Sequence, residues 1–106
     1  MPGSNCQDRT SVKQPCVYLL ASRRNGTLYV GVTANLIRRV SQHRDGITDG
    51  FTKKYRIRLL VWFEFYATMA DAIAREKSIK EWRRADKLAL IEIRNPHWLD
   101  LYPGLF

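Results

Sequence analysis

Residues 17–32 read VYLLASRRNGTLYVGV, two short apolar runs on either side of a polar segment. The runs at residues 17–22 and 28–32 are rich in β-branched and aromatic side chains, which favour β-strands. The Asn25-Gly26 pair between them is typical of a tight turn, because both residues tolerate the positive φ of a type I′ turn. This stretch therefore predicts a β-hairpin, around which the rest of the fold is arranged.

The side chains of this hairpin alternate between two faces. The apolar face carries Val17, Leu19, Ala21, Leu28, Val30 and Val32. The other face carries Tyr18, Leu20, Tyr29 and Gly31, a half-polar surface of a kind that a fully buried sheet would not have. A two-residue turn would pair Ser22 with Tyr29, which places Tyr18 about 13 Å along the strand from the partner of Tyr29. The two tyrosines are therefore expected to share a face without touching.

The hairpin is followed by a pattern that predicts one more strand and three helices. The spacing of apolar residues predicts a first helix over residues 35–44, and residues 46–56 read as a polar loop. Residues 59–66 are almost continuously apolar, which predicts a well-covered third strand. Two further helices are predicted over residues 68–84 and 86–94. The order β-β-α-β-α-α predicts an α+β fold in which helices cover a small sheet.

One domain accounts for the length and composition of the chain. A single core in a chain of 106 residues buries about 65% of the surface that the unfolded chain exposes. Residues 1–14 contain one large aliphatic residue, Val12, and are predicted to form a disordered tail ahead of a single domain over residues 15–106. The longest apolar runs are far shorter than the roughly 18 residues of a membrane span. A cytoplasmic protein without a membrane partner is expected.

The charge of the chain favours a polyanionic partner. Eighteen Lys and Arg residues against ten Asp and Glu residues give a net charge of +8. Nine of the basic residues but only two of the acidic ones lie within residues 23–58. This concentration favours nucleic acid, and a solvated basic face is the alternative. The candidate nucleic-acid-binding residues are Arg23, Arg24, Arg38, Arg44, Lys53, Lys54, Arg56 and Arg58.

The cysteine and histidine content excludes the common zinc and disulfide sites. Cys6 and Cys16 are the only cysteines, they form no CxxC pair, and His43 and His97 are the only histidines. A zinc site or a disulfide framework needs more ligands or cysteines than this, so both thiols are predicted to be free. The chain also lacks the GxSxG, HExxH and Walker-type motifs of the commoner hydrolases and nucleotide-binding proteins.

Glu76 occupies an unusual position in the second predicted helix. On a helical wheel it falls in the middle of an apolar stripe that includes Ala72, Ile73 and Ile79. A carboxylate at this position is costly unless it is paired or binds a cation. Two interpretations stay open: a structural one, in which a neighbouring Arg or Lys or partial exposure accommodates the charge, and a metal ligand.

Four short motifs follow one another in a fixed order along the chain. They are the pair Val17-Tyr18-Leu19 and Tyr29-Val30-Gly31, the helix that contains Arg39 and His43, the segment Ala74-Arg75-Glu76-Lys77, and Asn95-Pro96. In type, order and spacing they resemble the paired tripeptides, the arginine helix, the glutamate helix and the late asparagine of the GIY-YIG nuclease family. The resemblance extends over residues 15–98 and is greatest to the short, stand-alone bacterial members.

The resemblance implies a fold and a chemistry. The fold is a three-stranded antiparallel sheet flanked by helices, and the activity is metal-dependent hydrolysis of phosphodiester bonds. Glu76 then holds one divalent cation, Mg²⁺ or Mn²⁺, largely completed by water and substrate phosphate. Arg39 binds the phosphate oxygens, and His43 lies on the same helix face because it is four residues further on.

The resemblance also implies a tyrosine as general base. One of Tyr18 and Tyr29 accepts the proton of the attacking water, and the sequence leaves open which one. A tyrosine needs a lowered pKa for this role, which His43 and the metal ion would provide. Asn95 would orient a ligand or a tyrosine.

The expected partner is DNA, with RNA not excluded, and the expected state is a monomer or weak dimer. Because the chain is short, structure-directed or backbone-directed binding is expected rather than recognition of a long sequence. A non-catalytic nucleic-acid-binding module and a partner-dependent nuclease subunit are the alternatives.

Overall fold

The computed structural model describes residues 14–46 and 50–106. Its sheet has three antiparallel strands in the order β2-β1-β3, with β1 over Cys16–Ala21, β2 over Leu28–Thr33 and β3 over Leu59–Phe65. The central strand β1 is buried along its whole length. The predicted α+β class and the order β-β-α-β-α-α are confirmed.

Helices flank the sheet in the described part of the chain. They are α1 over Leu36–Arg44, α2 over Gly50–Lys54, α3 over Met69–Lys80, α4 over Arg84–Arg94 and a 3-10 helix over Pro103–Leu105. Side-chain caps begin two of them, as expected for Asn and Thr at an N-cap. Asn35 accepts the N–H of Arg38 at 3.2 Å before α1, and Thr68 accepts the N–H of Asp71 at 3.1 Å before α3.

The largest differences from the sequence prediction are the end of α3 and two short helices that were not predicted, α2 and the 3-10 helix over Pro103–Leu105. α3 ends at Lys80 rather than near residue 84, because the extended backbone of Arg83 (φ −68°, ψ 156°) precedes a new helix. α2 lies within the segment that was predicted to be a loop. Its five residues are too few to show helical periodicity, and its residue Thr52 is buried by contacts with the rest of the fold.

Both faces of the sheet are covered, each by different helices. The core under α3 and α4 contains Val17, Leu19, Ala21, Val30, Val61, Trp62, Ala72, Ile79, Ile91 and Trp98. The core under α1 contains Cys16, Tyr18, Leu20, Leu36, Val40, Ile57 and Leu60, and the C-terminal segment packs against it. The strand residues lie on the predicted faces. On the predicted half-polar face, α1 and the C-terminal segment bury Tyr18 and Leu20, whereas Tyr29 stays half-buried.

The connection between β1 and β2 is longer than the two-residue turn predicted. The N–H of Ser22 donates to the carbonyl of Thr27 at 3.0 Å, which closes a four-residue loop. Asn25 has a positive φ of 58°, whereas Gly26 does not. A type I′ turn requires positive φ at both positions, so the Asn-Gly signal located the reversal but not its geometry.

The longer loop shifts the pairing of the two strands by two residues. Tyr18 pairs with Gly31, and Leu20, not Ser22, pairs with Tyr29. Tyr18 therefore lies two residues from the partner of Tyr29, about 7 Å along the strand instead of 13 Å. A shift by an even number of residues keeps every side chain on its face.

The N-terminal region is described from residue 14 onward. Residues 1–13 of the predicted tail, including Cys6, lie outside the described residues. The N–H of Gln14 donates to the carbonyl of Ala34 at 2.8 Å, next to the end of β2. Across residues 14–46 and 50–106, no helix has the length and apolar character needed to cross a membrane.

Cys16 has a free thiol that is buried at the start of β1. Burial is the largest cause that raises its pKa, to about 12. We therefore expect no reaction with Ellman's reagent at pH 8 in the folded state and full reaction in denaturant, measured in a Cys6→Ser variant. The stability that the protonated thiol contributes is complete below its ordinary pKa of 9.0 and is lost as the pH rises toward 12. Rapid labelling of the folded variant would contradict this prediction.

Candidate active site

Tyr18, His43 and Thr52 form a buried chain of hydrogen bonds beneath the sheet. The hydroxyl oxygen of Tyr18 is 3.0 Å from Nε2 of His43, and Nδ1 of His43 is 3.1 Å from Oγ1 of Thr52. Tyr18 exposes 2% of its surface, and the other two residues expose 1% each. Each imidazole nitrogen has a hydroxyl partner, so a neutral ring is hydrogen-bonded at both nitrogens in either tautomer. These hydrogen bonds fix the Tyr18 phenol relative to α1 and α2.

Tyr29 lies beside this chain and is only half-buried. Its ring centroid is 5.3 Å from that of His43, 6.4 Å from that of Tyr18 and 6.4 Å from that of Phe51. The diagonal position of the two tyrosines on β1 and β2 brings their rings within reach of each other. The structure thus brings together Tyr18, Tyr29 and His43, and solvent reaches Tyr29 more readily than Tyr18.

Gly31 provides the space that the Tyr18 ring occupies. The two residues pair directly across β1 and β2, and a Cβ at Gly31 would overlap the phenol. We expect Gly31→Ala to lower the free energy of unfolding by about 1–3 kcal/mol, the usual cost of overpacking, and to move Tyr18 away from His43. Urea unfolding measures the loss, with Gly104→Ala as the control because a Cβ there meets open space. Equal stability of the two variants would contradict the prediction.

The basic candidate residues differ in how the fold uses them. Arg38 and Arg39 are exposed on α1, and six further basic side chains are exposed elsewhere on the surface, those of Arg23, Arg24, Lys53, Lys54, Arg56 and Arg58. Arg44 is held in place, since its guanidinium lies 2.6 Å from Oδ2 of Asp100 and 4.6 Å from the centre of the Tyr102 ring. Arg44 therefore stabilises the C-terminal segment against α1.

Glu76 lies on α3 and exposes 8% of its surface. Its neighbours Ala72 and Ile79 belong to the core under α3, whereas Ile73 is 36% exposed, so the apolar stripe is narrower than predicted. The carboxylate pairs with the ammonium of Lys80 at 2.5 Å, while the side chain of Lys80 remains 53% exposed. Lys80 is thus the neighbouring cation that the structural interpretation of Glu76 requires. Because α1 and α3 cover opposite faces of the sheet, Glu76 and His43 approach the sheet from opposite sides.

The carboxylate of Glu76 fits one kind of metal site. Within residues 14–46 and 50–106, no three His, Cys, Asp or Glu side chains cluster closely enough to hold an ion. Magnesium is commonly bound by one or two carboxylates, with water and substrate phosphate completing its octahedral shell. Lys80 is exposed enough to turn into solvent and release the carboxylate. Glu76 therefore suits a single Mg²⁺ or Mn²⁺ and not a cage of protein ligands.

Asn95 ends α4, and its amide holds the backbone around that end. Its Nδ2 donates to the carbonyls of Val61 at 3.1 Å and Leu99 at 2.9 Å, and its Oδ1 accepts the N–H of Leu99 at 2.9 Å. Val61 lies on β3, the edge strand opposite β2, which carries Tyr29. These bonds fix the turn that follows α4.

Sequence reasoning missed the two site residues that α2 supplies. Thr52 bonds His43, and Phe51 stacks beside Tyr29. Neither belongs to a motif, and a threonine nine residues after the histidine carries no signal of contact. Only the folding of residues 50–54 against α1 brings them to the site.

Residues 14–89 match the GIY-YIG catalytic domain. The chain belongs to the GIY-YIG family, as its motifs predicted, and membership implies endonuclease activity.

Its relatives are short proteins. The UPF0213 protein SH2523 of Staphylococcus haemolyticus is 36% identical over 78 residues, which cover 74% of this chain and 94% of that protein. A UPF0213 protein of Staphylococcus aureus is 39% identical over 70 residues, 66% of this chain and 85% of that one. The solution NMR structure of the UPF0213 protein BH0048 from Bacillus halodurans has the same fold, with a TM-score of 0.52 and 23% identity over 82% of this chain and 92% of that chain.

Proposed function

We propose that this protein is a metal-dependent endonuclease that hydrolyses phosphodiester bonds in DNA. One observation carries the proposal: half-buried Tyr29 packs against the hydrogen-bonded residues Tyr18, His43 and Thr52. This group lies on the face of the sheet that α1, the helix of Arg39, covers. Phosphodiester hydrolysis needs a base for water, positive charge for the transition state and neutralisation of the leaving oxygen.

In this proposal Tyr29 accepts the proton of the attacking water. Tyr18 is almost wholly buried and bonded to His43, so it has little surface for a water molecule on its way to substrate. Tyr29 is half-buried and packs against the same imidazole at 5.3 Å. Tyr18 and His43 then act as positioning residues that hold the ring of Tyr29.

Arg39 and Glu76 supply the charges. The exposed guanidinium of Arg39 donates to the phosphate oxygens as negative charge develops on them. Glu76 would hold one Mg²⁺ or Mn²⁺ from α3, which packs against β2, the strand of Tyr29, and the ion would neutralise charge at the scissile phosphate. Asn95 contributes indirectly, because its hydrogen bonds with the backbone of Leu99 fix the turn that follows α4.

Binding is proposed to be directed by the DNA backbone or by DNA structure. The exposed basic residues between positions 23 and 58 contact phosphates, which carry affinity but no sequence information. RNA remains a second possible substrate. A monomer or weak dimer in the cytoplasm completes the proposal.

The test uses supercoiled plasmid, branched DNA and RNA, each with magnesium and with chelator. We expect cleavage of DNA in magnesium only. Binding in chelator should weaken linearly on a plot of log affinity against log salt, with a slope of about −0.9 for each phosphate neutralised. Affinity that is insensitive to salt, or cleavage that survives the chelator, would contradict the proposal.

A non-catalytic binding module is the second candidate, and one contact favours it. The ion pair of Glu76 with Lys80 at 2.5 Å occupies the carboxylate that the metal needs. This candidate predicts DNA binding without cleavage under any metal, which the same assay distinguishes.

A further inference from the structure

A basic cleft lies at the hairpin end of the sheet, where the β1–β2 loop, the segment before β3 and the start of α4 meet. It is open to solvent and has a volume of about 780 Å³. Four of its lining side chains are cationic, those of Arg23, Arg56, Arg84 and Lys87, and no acidic side chain within residues 14–46 and 50–106 lines it. Arg84 and Lys87 belong to α4 and lie outside the basic segment that the sequence singled out.

The cleft is a built feature of the fold. The guanidinium of Arg84 donates to the carbonyl oxygens of Asn25 and Gly26, at 2.7 Å each, so α4 is fastened to the hairpin loop. Asn25 and Arg56 both line the cleft and both have positive φ, 58° and 54°. Asparagine adopts left-handed backbone readily, whereas at an arginine this backbone costs free energy and persists only where the surroundings impose it. The backbone of Arg56 is therefore held in its conformation at the cleft.

None of the four cations of the cleft forms a salt bridge with a carboxylate of the described residues. Elsewhere on the surface Arg44 pairs with Asp100 at 2.6 Å, and Arg83 lies 3.8 Å from Asp86. Cations that share a concave surface repel one another, and an anion placed among them relieves that repulsion. The guanidinium and ammonium groups match phosphate oxygens in chemistry.

A row of aromatic rings connects the cleft to the candidate active site. Tyr55 lines the cleft, its ring centroid is 4.9 Å from that of Phe51, and the Phe51 ring is 6.4 Å from that of Tyr29. Tyr55 and Phe51 expose 45% and 46% of their surface. A strand bound at Tyr29 can thus continue over α2 into the cleft.

We propose that the cleft binds a backbone phosphate of the nucleic-acid substrate, on one side of the phosphate that is cleaved. The proposal rests on the proposed function for the assignment of the substrate. Arg84 and Lys87 are the phosphate-binding residues that it adds, and Arg23 and Arg56 complete the cleft.

The test measures binding of a short DNA duplex in chelator by Lys87→Gln and Arg84→Gln, with Arg83→Gln as the control. Arg83 is adjacent on the chain and loses the same charge, but it does not line the cleft. We expect Lys87→Gln and Arg84→Gln each to weaken binding roughly tenfold, as for a lost hydrogen bond between charged groups. The slope of log affinity against log salt should fall by about 1 in each. Arg83→Gln should bind like the wild type.

Thermal unfolding of each variant is measured alongside binding. Arg84 donates the hydrogen bonds to the carbonyls of Asn25 and Gly26 in the hairpin loop, so Arg84→Gln can unfold for that reason. In that case Lys87→Gln is the variant that tests the proposal. Binding by Lys87→Gln as tight as that by Arg83→Gln would overturn the proposal. Binding of inorganic phosphate is measured for the same variants at matched phosphate concentrations. A variant that loses affinity for inorganic phosphate but keeps its affinity for DNA would also overturn the proposal. Wild-type cleavage in magnesium separates the two ideas: weakened DNA binding in the variants of a protein that never cleaves would overturn the proposed function and support the cleft.

Discussion

Replacing Glu76 by glutamine is expected to lower plasmid cleavage in magnesium by about a hundredfold or more, the scale of losing one electrostatic contribution to a transition state. Glutamine keeps the size of the side chain and removes the charge that holds the cation. DNA binding in chelator should stay the same or tighten, because a negative charge is removed from the protein surface. Single-turnover nicking and a binding titration measure the two effects.

The ion pair with Lys80 gives the competing explanation of Glu76, and Lys80→Gln tests it. The side chain of Lys80 is 53% exposed, so solvent screens the pair, which is worth less than about 1 kcal/mol. A metal-binding Glu76 predicts that Lys80→Gln keeps its cleavage and that Glu76→Gln unfolds at nearly the wild-type temperature. Exposed Glu81 supplies the control Glu81→Gln, with wild-type cleavage expected. Full activity in Glu76→Gln, or the same loss in Lys80→Gln, would contradict the metal role.

Replacing Tyr29 by phenylalanine is expected to lower cleavage by about 10²- to 10⁴-fold, the usual contribution of general base catalysis. The ring contacts with His43 and Phe51 remain, and thermal unfolding of the variant measures how much of the loss is structural. The rate of single-turnover cleavage across the pH range measures it, because removal of the base also removes the rise of the rate with pH.

Tyr18→Phe is the matched comparison. It removes the hydroxyl that lies 3.0 Å from Nε2 of buried His43, so we expect a loss of about 1–3 kcal/mol of unfolding free energy. Its cleavage should fall less than that of Tyr29→Phe, and the pH dependence should keep its shape. An inactive Tyr18→Phe beside an active Tyr29→Phe would assign the base to Tyr18 instead.

The secondary structure of this chain could be predicted because its signals are local. The alternation in residues 17–22 and 28–32 defined the two strands and their faces, and the helical spacing after Asn35 defined α1. α2 could not be predicted, since five residues are little more than one helical turn and show no period. The hairpin loop could not be predicted either, because its sequence allows a two-residue turn as well as the four-residue loop that the structure contains.

The candidate site divides in the same way. The sequence marked Tyr18, Tyr29 and His43 by their motifs, and the fold brings these three together. It also marked Glu76 as a carboxylate in an apolar stripe, but it did not identify Lys80 as the partner. Lys80 is the only cation one turn away from Glu76 on its own helix, but cations of other elements could also pair with this carboxylate, and only packing selects among them.

Apart from α2 and the 3-10 helix, the sequence by itself determined the elements, their order and the face of each strand residue, because periods of 2 and 3.6 residues are read from neighbours along the chain. Only the tertiary structure decided the register that brings Tyr18 near Tyr29, the bond of His43 to Thr52, and the attachment of Arg84 to the hairpin loop. The two hydrogen-bonded contacts join residues that are 9 and 59 positions apart in the sequence. The register is a choice between two pairings that differ by two residues and put every side chain on the same face. Their free energy comes from burial and hydrogen bonding across the whole core, which no local pattern encodes.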